Sequence, residues 1–224
     1  MKYFYSDQPL KQAAIHVANS IERYLIDGQK VLWLLSGGSS IPIAVMASEL
    51  LKGVDLKNLS VTLTDERYGP IGHPDENYQQ LLSSGLDLPG ADIYRPMIGK
   101  DEKSTVETFI EWLDTKLKTA DYKISLFGLG SDGHTCGIKP NSPAVSSSDL
   151  ATIFDGDDFT RLTITFSVIR QINEAIIQAS GDIKISIIKD LFNQDLPLSA
   201  QPAQILKSIS NATLYTDINK EEIK

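Results

Sequence analysis

The feature that most restricts the fold of this chain is a regular alternation of short apolar runs with helical patterns. Lys30–Leu35 and Lys123–Phe127 have the character of buried strands, and each runs into a glycine-rich polar loop. Pro42–Lys52, directly after the first loop, has a helical pattern. Strands separated by helices of this length predict a mostly parallel sheet covered on both faces. We therefore predict an α/β fold, with residues 1–224 forming a single domain.

The same periodicities predict the remaining elements. The segment from Asp65 to about Pro74 has the composition of a polar loop, and Ser104 and Glu107 have capping-box spacing before an amphipathic helix. The other predicted elements are a helix around Ile15–Leu25, a strand at Ser60–Thr64, a strand at Arg161–Phe166, a helix at Val168–Ala179, a strand at Ile183–Ile188 and a short strand at Leu214–Thr216.

Charge and composition exclude several classes of protein. Against 21 Lys and Arg the chain carries 29 Asp and Glu, a net charge of −8, which opposes non-specific binding to nucleic acid or anionic membranes. The only cysteine, Cys136, excludes an intramolecular disulfide and favours a reducing compartment. The N-terminus lacks a signal-peptide pattern, and runs such as Val31–Leu35 are too short to span a bilayer. We expect a cytoplasmic protein whose partner is a small molecule, with no nucleic-acid or membrane partner.

Three polar segments follow predicted strands: Ser36–Ser40, Asp65–Asn77 and Gly128–His134. Ligands of open α/β sheets bind beyond the carboxyl ends of the strands. We expect these three loops to meet at one edge of the sheet and to form the binding site.

The first loop contains Gly37, Gly38, Ser39 and Ser40 between a strand and a helix. Glycines let backbone N–H groups approach an anion, and the serine hydroxyls can donate to phosphate oxygens. A plain strand-to-helix turn with a serine cap has the same composition. The loop lacks the Gly-Lys-Ser/Thr ending of a nucleotide P-loop, so it does not favour a kinase or ATPase.

The second loop begins with Asp65, Glu66 and Arg67. Arginine offers a bidentate fork to a phosphate or carboxylate, and the neighbouring acids can hold it in place. A solvated charge cluster is the competing interpretation. Asn77, farther along, has the position of a helix-start asparagine.

The third loop contains Gly128, Gly130 and Gly133 in a G-x-G-x-x-G pattern. Pro140 and Pro143 oppose the long helix that a dinucleotide site requires next, so we reject that interpretation. The Asp132-Gly133-His134 sequence is better explained as a catalytic turn, in which a carboxylate orients a general base. A loop histidine that is merely solvated is the alternative.

The other candidate groups carry less chemistry. His16 falls in a helical pattern and His73 in a Gly/Pro loop, so both are interpreted as incidental, and no histidine pair has zinc-helix spacing. We expect no metal site. Cys136 is either a thiol nucleophile or, more commonly, a small buried residue.

Taken together, the loops resemble the 6-phosphogluconolactonase family. Ser36–Ser39, Asp65–Arg67 and Gly128–Thr135 match its motifs in order and spacing, Arg161–Thr165 resembles its Arg-x-Thr-Leu-Thr strand, and Gly181–Lys184 resembles its Gly-x-x-Lys turn. The family belongs to a superfamily that includes glucosamine-6-phosphate deaminase. The resemblance therefore implies a three-layer α/β/α, modified Rossmann-like fold.

Two segments depart from the family pattern. Ile41 stands where the family usually has proline, with Pro42 one place later, and Cys136–Pro140 replaces the usual Ala-Ser-Leu-Phe-Pro. Arg67 and Thr135 separate the chain from the deaminases, which typically have Asp-Glu-Tyr and Gly-His-Ile at these places.

The resemblance implies hydrolysis of 6-phospho-D-glucono-1,5-lactone to 6-phosphogluconate, without a metal or organic cofactor. It implies that His134 is the general base and that Asp132 supports it. The substrate-binding residues that we infer are Gly37, Gly38, Ser39, Ser40, Asp65, Arg67, Gly130, Arg161 and Lys184. An amino-sugar-phosphate deaminase or isomerase, or a non-catalytic sugar-phosphate sensor, is the alternative. We expect a monomer or a small homo-oligomer.

Overall fold

A computed structural model describes residues 1–224, with ten strands and seven α-helices. The strands are β1 (Lys2–Tyr5), β2 (Val31–Leu35), β3 (Leu59–Leu63), β4 (Asp65–Arg67), β5 (Asp92–Ile93), β6 (Tyr122–Gly128), β7 (Ala151–Asp155), β8 (Thr160–Ile164), β9 (Glu174–Gln178) and β10 (Asn211–Thr216). The helices are α1 (Pro9–Ile26), α2 (Ile41–Leu50), α3 (Asn77–Ser83), α4 (Glu102–Thr119), α5 (Pro143–Ser146), α6 (Phe166–Ile169) and α7 (Ile185–Asn193). None of the helices is long and apolar enough to cross a membrane.

Seven strands form the main sheet in the order β1-β10-β9-β6-β2-β3-β5. Every neighbouring pair in this sheet is parallel, which confirms the predicted sheet type. The strand nearest the N-terminus lies at one edge, where Lys2–Tyr5 pairs with Thr213–Thr216 of β10.

The main sheet is buried on both faces, and β2 shows why its sequence is a continuous apolar run. Trp33 points into a core shared with α1 and α2, whereas Leu32 and Leu34 point into the opposite core with α4. All five residues of β2 are buried. Because a strand covered on both faces has no solvent-facing side, its sequence does not alternate between apolar and polar residues. The sheet with a layer of helices on each face confirms the predicted α/β/α arrangement.

A second, three-stranded antiparallel sheet has the order β4-β8-β7. The prediction of a polar loop from Asp65 to Pro74 is therefore wrong at its start, because Asp65–Arg67 is the edge strand β4. β4 follows β3 after one residue and pairs with a strand far away in the sequence, a partner that no local pattern indicates. The small sheet brings β8, and with it Arg161, next to the end of the main sheet.

Two adjacent predictions exchange helix and strand. The predicted helix at Val168–Ala179 stops at Ile169, and Glu174–Gln178 forms the fully buried strand β9 between β6 and β10. The predicted strand at Ile183–Ile188 is wrong because α7 begins at Ile185. The β-branched isoleucines favour a strand locally, but Ile187, Ile188 and Leu191 are buried at helical spacing.

The start of α4 also differs from the prediction. The helix begins at Glu102, and the carboxylate of Asp101 caps it by accepting from the Ser104 backbone N–H at 2.9 Å. Ser104 is thus inside the first turn and is not the N-cap. Its hydroxyl donates to the same carboxylate, so the predicted capping box is replaced by an aspartate cap.

Candidate active site

The three polar loops meet in one pocket beyond the carboxyl ends of β2 and β6, closed on one side by the small sheet. The pocket contains nearly all the residues that the sequence suggests for binding, together with His134. Its lining consists of Ser36, Gly37, Gly38, Ser39, Asp65, Arg67, Asn77, Gly128, Leu129, Gly130, His134, Cys136, Arg161 and Lys184.

The first loop turns sharply into α2 through a single 3₁₀ turn at Gly38–Ser40. Gly38 has a φ of +58°, a conformation that side chains disfavour. The hydroxyl of Ser39 donates to Gln178 Oε1 at 2.9 Å, which ties the loop to the end of β9. Ser40 does not line the pocket: it is buried, and its hydroxyl has no hydrogen-bond partner. Its predicted contact with substrate therefore has no support in this geometry.

The Asp132-Gly133-His134 turn places a carboxylate directly against the imidazole. His134 Nδ1 lies 2.6 Å from Asp132 Oδ1, and the His134 backbone N–H also donates to that oxygen at 3.1 Å. Partial burial opposes ionisation of Asp132, but the charge and N–H groups of His134 outweigh it and lower the pKa of Asp132. An ionised carboxylate only accepts hydrogen bonds, so Nδ1 is the donor and neutral His134 keeps its Nε2 lone pair.

Gly130 is required for this turn. A side chain at position 130 would overlap both the His134 ring and the Asp132 carboxylate. The Gly130 N–H donates to the His134 carbonyl at 2.9 Å, so the backbone folds back on itself. Gly133, with a φ of +87°, completes the reversal. The glycines of this loop therefore shape the Asp132-Gly133-His134 turn.

Two arginines lie side by side on neighbouring strands of the small sheet. Arg67 on β4 and Arg161 on β8 are directly opposed partners in the antiparallel register. Like charges at such positions destabilise a strand pair. Both side chains line the pocket, so the sheet concentrates positive charge at one point of a protein whose net charge is −8.

Three further contacts fix the cations. Arg161 is paired with Asp158, at 2.6 Å between Nη2 and Oδ2, and Arg67 Nη1 donates to the Asp75 carbonyl at 3.0 Å. Lys184 Nζ donates to the Leu129 carbonyl at 2.6 Å, beside the loop that carries His134. Burial lowers the pKa of Lys184, and nearby Asp132 opposes that shift.

Glu66 organises this side of the pocket, a role that the sequence analysis missed. Its fully buried carboxylate accepts from the backbone N–H groups of Arg67, Asn77 and Tyr78 at 2.8, 2.6 and 2.9 Å. Burial raises the pKa of Glu66 to about 8, and the three N–H donors act against the rise. Glu66 thereby joins the start of α3 to β4.

Asn77 is also more than a helix start. It is the first residue of α3, as predicted, but it also lines the pocket. Its Nδ2 donates to the Asp65 carbonyl at 3.1 Å, while its buried Oδ1 has no hydrogen-bond partner. The sequence signal for a place in the pocket was the position of Asn77 in the segment after Asp65–Arg67. That position does not predict the direction of its side chain.

Cys136 lines the pocket but is a poor nucleophile. The residue is buried and has a φ of +52°. Burial raises the pKa of its thiol well above the ordinary value, with the Asp65 charge adding to the effect. A protonated, desolvated thiol does not attack a carbonyl at neutral pH, so the geometry favours the small-buried-residue interpretation.

The remaining histidines lie outside the pocket lining. His16 contacts Tyr215 and Glu174, and His73 Nε2 lies 2.9 Å from the Arg67 carbonyl oxygen. No three His, Cys, Asp or Glu side chains come together as a possible metal site.

The sequence matches the family described as glucosamine-6-phosphate isomerases/6-phosphogluconolactonase over residues 6–215. The chain belongs to this family. A 6-phosphogluconolactonase of Synechocystis sp. is 25% identical over 208 residues, covering 88% of this chain and 86% of that protein. A 6-phosphogluconolactonase of Neisseria meningitidis is 30% identical over 160 residues, covering 68% of this chain and 64% of that protein.

Solved structures of the family share the fold. A 6-phosphogluconolactonase from Thermotoga maritima superposes with a TM-score of 0.81 at 19% identity, covering 96% of this chain and 98% of that one. A monomeric glucosamine-6-phosphate deaminase superposes with a TM-score of 0.77 at 19% identity, covering all of both chains. Since lactonase and deaminase structures fit almost equally well, the fold alone does not separate the two activities.

Proposed function

We propose that this member of the family hydrolyses 6-phospho-D-glucono-1,5-lactone to 6-phosphogluconate, the lactonase step of the pentose phosphate pathway, in the cytoplasm. The observation that carries the proposal is one pocket lined by His134, Arg67, Arg161 and Lys184, in which Asp132 contacts the imidazole of His134 from outside the pocket lining. The pair suits proton transfer, and the cations suit a phosphate dianion. The relatives named as 6-phosphogluconolactonases support the same substrate.

The first step is attack of water on the lactone carbonyl. With Nδ1 donating to Asp132, Nε2 of neutral His134 accepts a proton from the water as its oxygen bonds to the carbonyl carbon. The carbonyl π electrons move to oxygen and form a tetrahedral oxyanion. The Asp132 carboxylate stabilises the imidazolium produced. Positioned proton transfer of this kind contributes about 10²–10⁴-fold to a rate.

The second step is collapse of the tetrahedral intermediate. The oxyanion electrons re-form the carbonyl, the bond between the carbonyl carbon and the ring oxygen breaks, and His134 returns its proton to that oxygen. The product is the open-chain acid, and His134 is neutral again. Because the proton that leaves water is the one that reaches the leaving oxygen, the chemistry requires only one acid–base group.

Substrate binding depends on local donors, since the net charge of −8 repels an anion. Arg67, Arg161 and Lys184 bind the phosphate, helped by the loop of Gly37, Gly38 and Ser39. Gly130 and Asp65 border the sugar ring. This arrangement explains how an acidic protein selects a phosphorylated lactone.

The direct test is acid release from freshly prepared phospholactone, corrected for spontaneous hydrolysis. We expect enzyme-dependent turnover, and a much lower kcat/KM for the unphosphorylated lactone. Ammonia release from glucosamine 6-phosphate would instead indicate a deaminase. Binding of 6-phosphogluconate without any turnover would indicate a sensor.

A further inference from the structure

The opposed pair Arg67 and Arg161 requires something that keeps two like charges in place without a ligand. The hairpin between β7 and β8 supplies two side chains that contact the arginines, the carboxylate of Asp158 and the ring of Phe159. Its tip, Gly156–Phe159, is a tight turn closed by the Gly156 N–H, which donates to the Phe159 carbonyl at 2.9 Å. Asp158 and Phe159 at this tip contact the arginines and have no part in the proposed chemistry.

Phe159 is close to both guanidinium groups. The ring centroid is 5.0 Å from Arg67 Cζ and 6.0 Å from Arg161 Cζ. These distances allow cation–π attraction to both groups. A single ring thus offsets part of the repulsion between the two arginines.

Asp158 holds Arg161 by one edge only. Arg161 Nη2 donates to Oδ2 at 2.6 Å and Nε to Oδ1 at 3.3 Å, which leaves Nη1 free of the pair. Lys139 Nζ lies 3.5 Å from the same carboxylate, so that Asp158 is flanked by two cations. Arg67 has the complementary arrangement: Nη1 is occupied by the Asp75 carbonyl, and its buried Nε has no partner.

We propose that Asp158 and Phe159 are positioning residues for the phosphate group of the substrate. Asp158 orients the Nη1 edge of Arg161 toward the pocket, and Phe159 keeps the free edge of Arg67 at a matching distance. Together they present donors from two guanidinium groups to one dianion. This inference rests on the proposed function, because it requires that a phosphate binds between the arginines.

Asp158 has a matched control in the same hairpin. Asp155 accepts from the Thr160 hydroxyl at 2.6 Å and contacts no arginine. Asp158→Asn and Asp155→Asn each remove one negative charge, so a difference between them does not come from net charge. Calorimetric titration with 6-phosphogluconate and with gluconate measures the phosphate contribution in each variant.

We expect Asp158→Asn to weaken 6-phosphogluconate binding about tenfold, in the range of a charge-assisted hydrogen bond. Gluconate binding stays unchanged, and Asp155→Asn behaves like the wild type. In kinetics, Asp158→Asn raises KM by a similar factor while kcat stays within about twofold. Equal or tighter 6-phosphogluconate binding by Asp158→Asn overturns the positioning role and indicates that Asp158 competes with phosphate for Arg161.

Phe159 is tested by keeping or removing the aromatic ring. Phe159→Leu keeps an apolar side chain but loses both cation–π contacts, and we expect KM to rise about three- to tenfold at constant kcat. Phe159→Tyr retains the aromatic ring, so we expect its KM to equal that of the wild type. Equal KM values for the leucine and tyrosine variants contradict the role of the ring.

Failure of the proposed function has a different signature. A wild-type protein that binds 6-phosphogluconate no better than gluconate overturns the phosphate assignment, and this inference with it. A wild-type preference for phosphate that survives both Asp158→Asn and Phe159→Leu overturns only the inference.

Discussion

His134 and the pair Arg67 and Arg161 line the same pocket but are assembled over very different distances in the sequence. Gly130, Asp132 and His134 hold one another through contacts within five consecutive residues. Arg67 and Arg161 meet only when β4 pairs with β8. In the proposed mechanism the local turn transfers protons and the long-range pair binds phosphate, so damage to one should leave the function of the other largely intact.

The largest effect is expected from the turn. His134→Ala removes the base and should lower kcat by about 10²–10⁴-fold while 6-phosphogluconate still binds. Asp132→Asn should lower kcat by a smaller factor, because His134 is still present and only the carboxylate that orients it is lost. Steady-state kinetics and calorimetry on the same preparations check both statements. A folded His134→Ala protein with near-wild-type turnover would remove His134 from the mechanism.

The arginine pair should show the opposite pattern. Arg161→Ala should weaken 6-phosphogluconate binding about ten- to a hundredfold, the contribution of a charge-assisted hydrogen bond, with a much smaller change in kcat. Arg67→Ala should act in the same direction, and the double variant should be non-additive because the two side chains address one group. A loss confined to kcat would contradict the division between the two regions.

Lys184 lines the same pocket, and its removal should weaken binding less than the removal of Arg161. Lys184→Ala should weaken 6-phosphogluconate binding about three- to tenfold, because a flexible ammonium is a point charge without a fixed fork. The interaction of its Nζ with the Leu129 carbonyl also links it to the loop that carries His134. Comparing KM with kcat shows which region it serves, and an effect larger than that of Arg161→Ala would reverse the order proposed.

Replacing the Cys136 thiol should change neither the proposed proton transfer by His134 nor phosphate binding by the arginine pair. Burial keeps the thiol protonated, so Cys136→Ser should retain activity within about twofold if it folds. Activity assays alongside thermal unfolding separate chemistry from folding. Complete loss of turnover in a stable variant would restore the thiol as a nucleophile.

The smallest expected effect concerns acid stability at the hairpin tip. Desolvation opposes ionisation of Asp158, but Arg161 and Lys139 hold its pKa at about 2, below the ordinary 3.8. Its contribution to stability is therefore complete above the ordinary pKa and is lost as pH falls through the folded value. Because the side chain is 43% exposed, that contribution is about 1 kcal/mol or less.

The Tm difference between wild type and Asp158→Asn should accordingly shrink as the pH is lowered from about 4 toward 2. Asp155→Asn is again the control. A Tm difference that does not change over this range would show that the Asp158 carboxylate is not stabilised by its cationic neighbours in the folded protein.

The same division explains what the sequence allowed us to predict. The parallel sheet and the turn that carries His134 depend on patterns a few residues long, such as Lys30–Leu35 and Asp132–His134. The antiparallel sheet was not predicted, because three residues at Asp65–Arg67 carry no strand signal of their own. Arg67 and Arg161 were predicted as binding residues, but their opposition and their contacts with Phe159 depend on that sheet and were missed.

Glu174–Gln178 and Ile185–Asn193 illustrate the remaining failures. A buried central strand and a buried helix are both apolar, and over a few residues their patterns are the same. Position in the sheet decides between them: β9 lies between two other strands, whereas α7 packs one side against the core. Ser40 is a different case, because composition suggested a donor but the folded turn buries its hydroxyl outside the pocket lining.

The place of β1 at the edge of the main sheet has a consequence for synthesis on the ribosome. Residues 2–5 are translated early, but their only strand partner is β10, at residues 211–216. Helix α1 likewise packs on β9 and β10, which are translated late. Although α2 covers part of the first helix early, the part of its apolar face that packs on β9 and β10 stays uncovered while most of the chain is made. Nascent-chain truncations that end before β10 should accordingly recruit chaperones, and release from them should coincide with the appearance of β10.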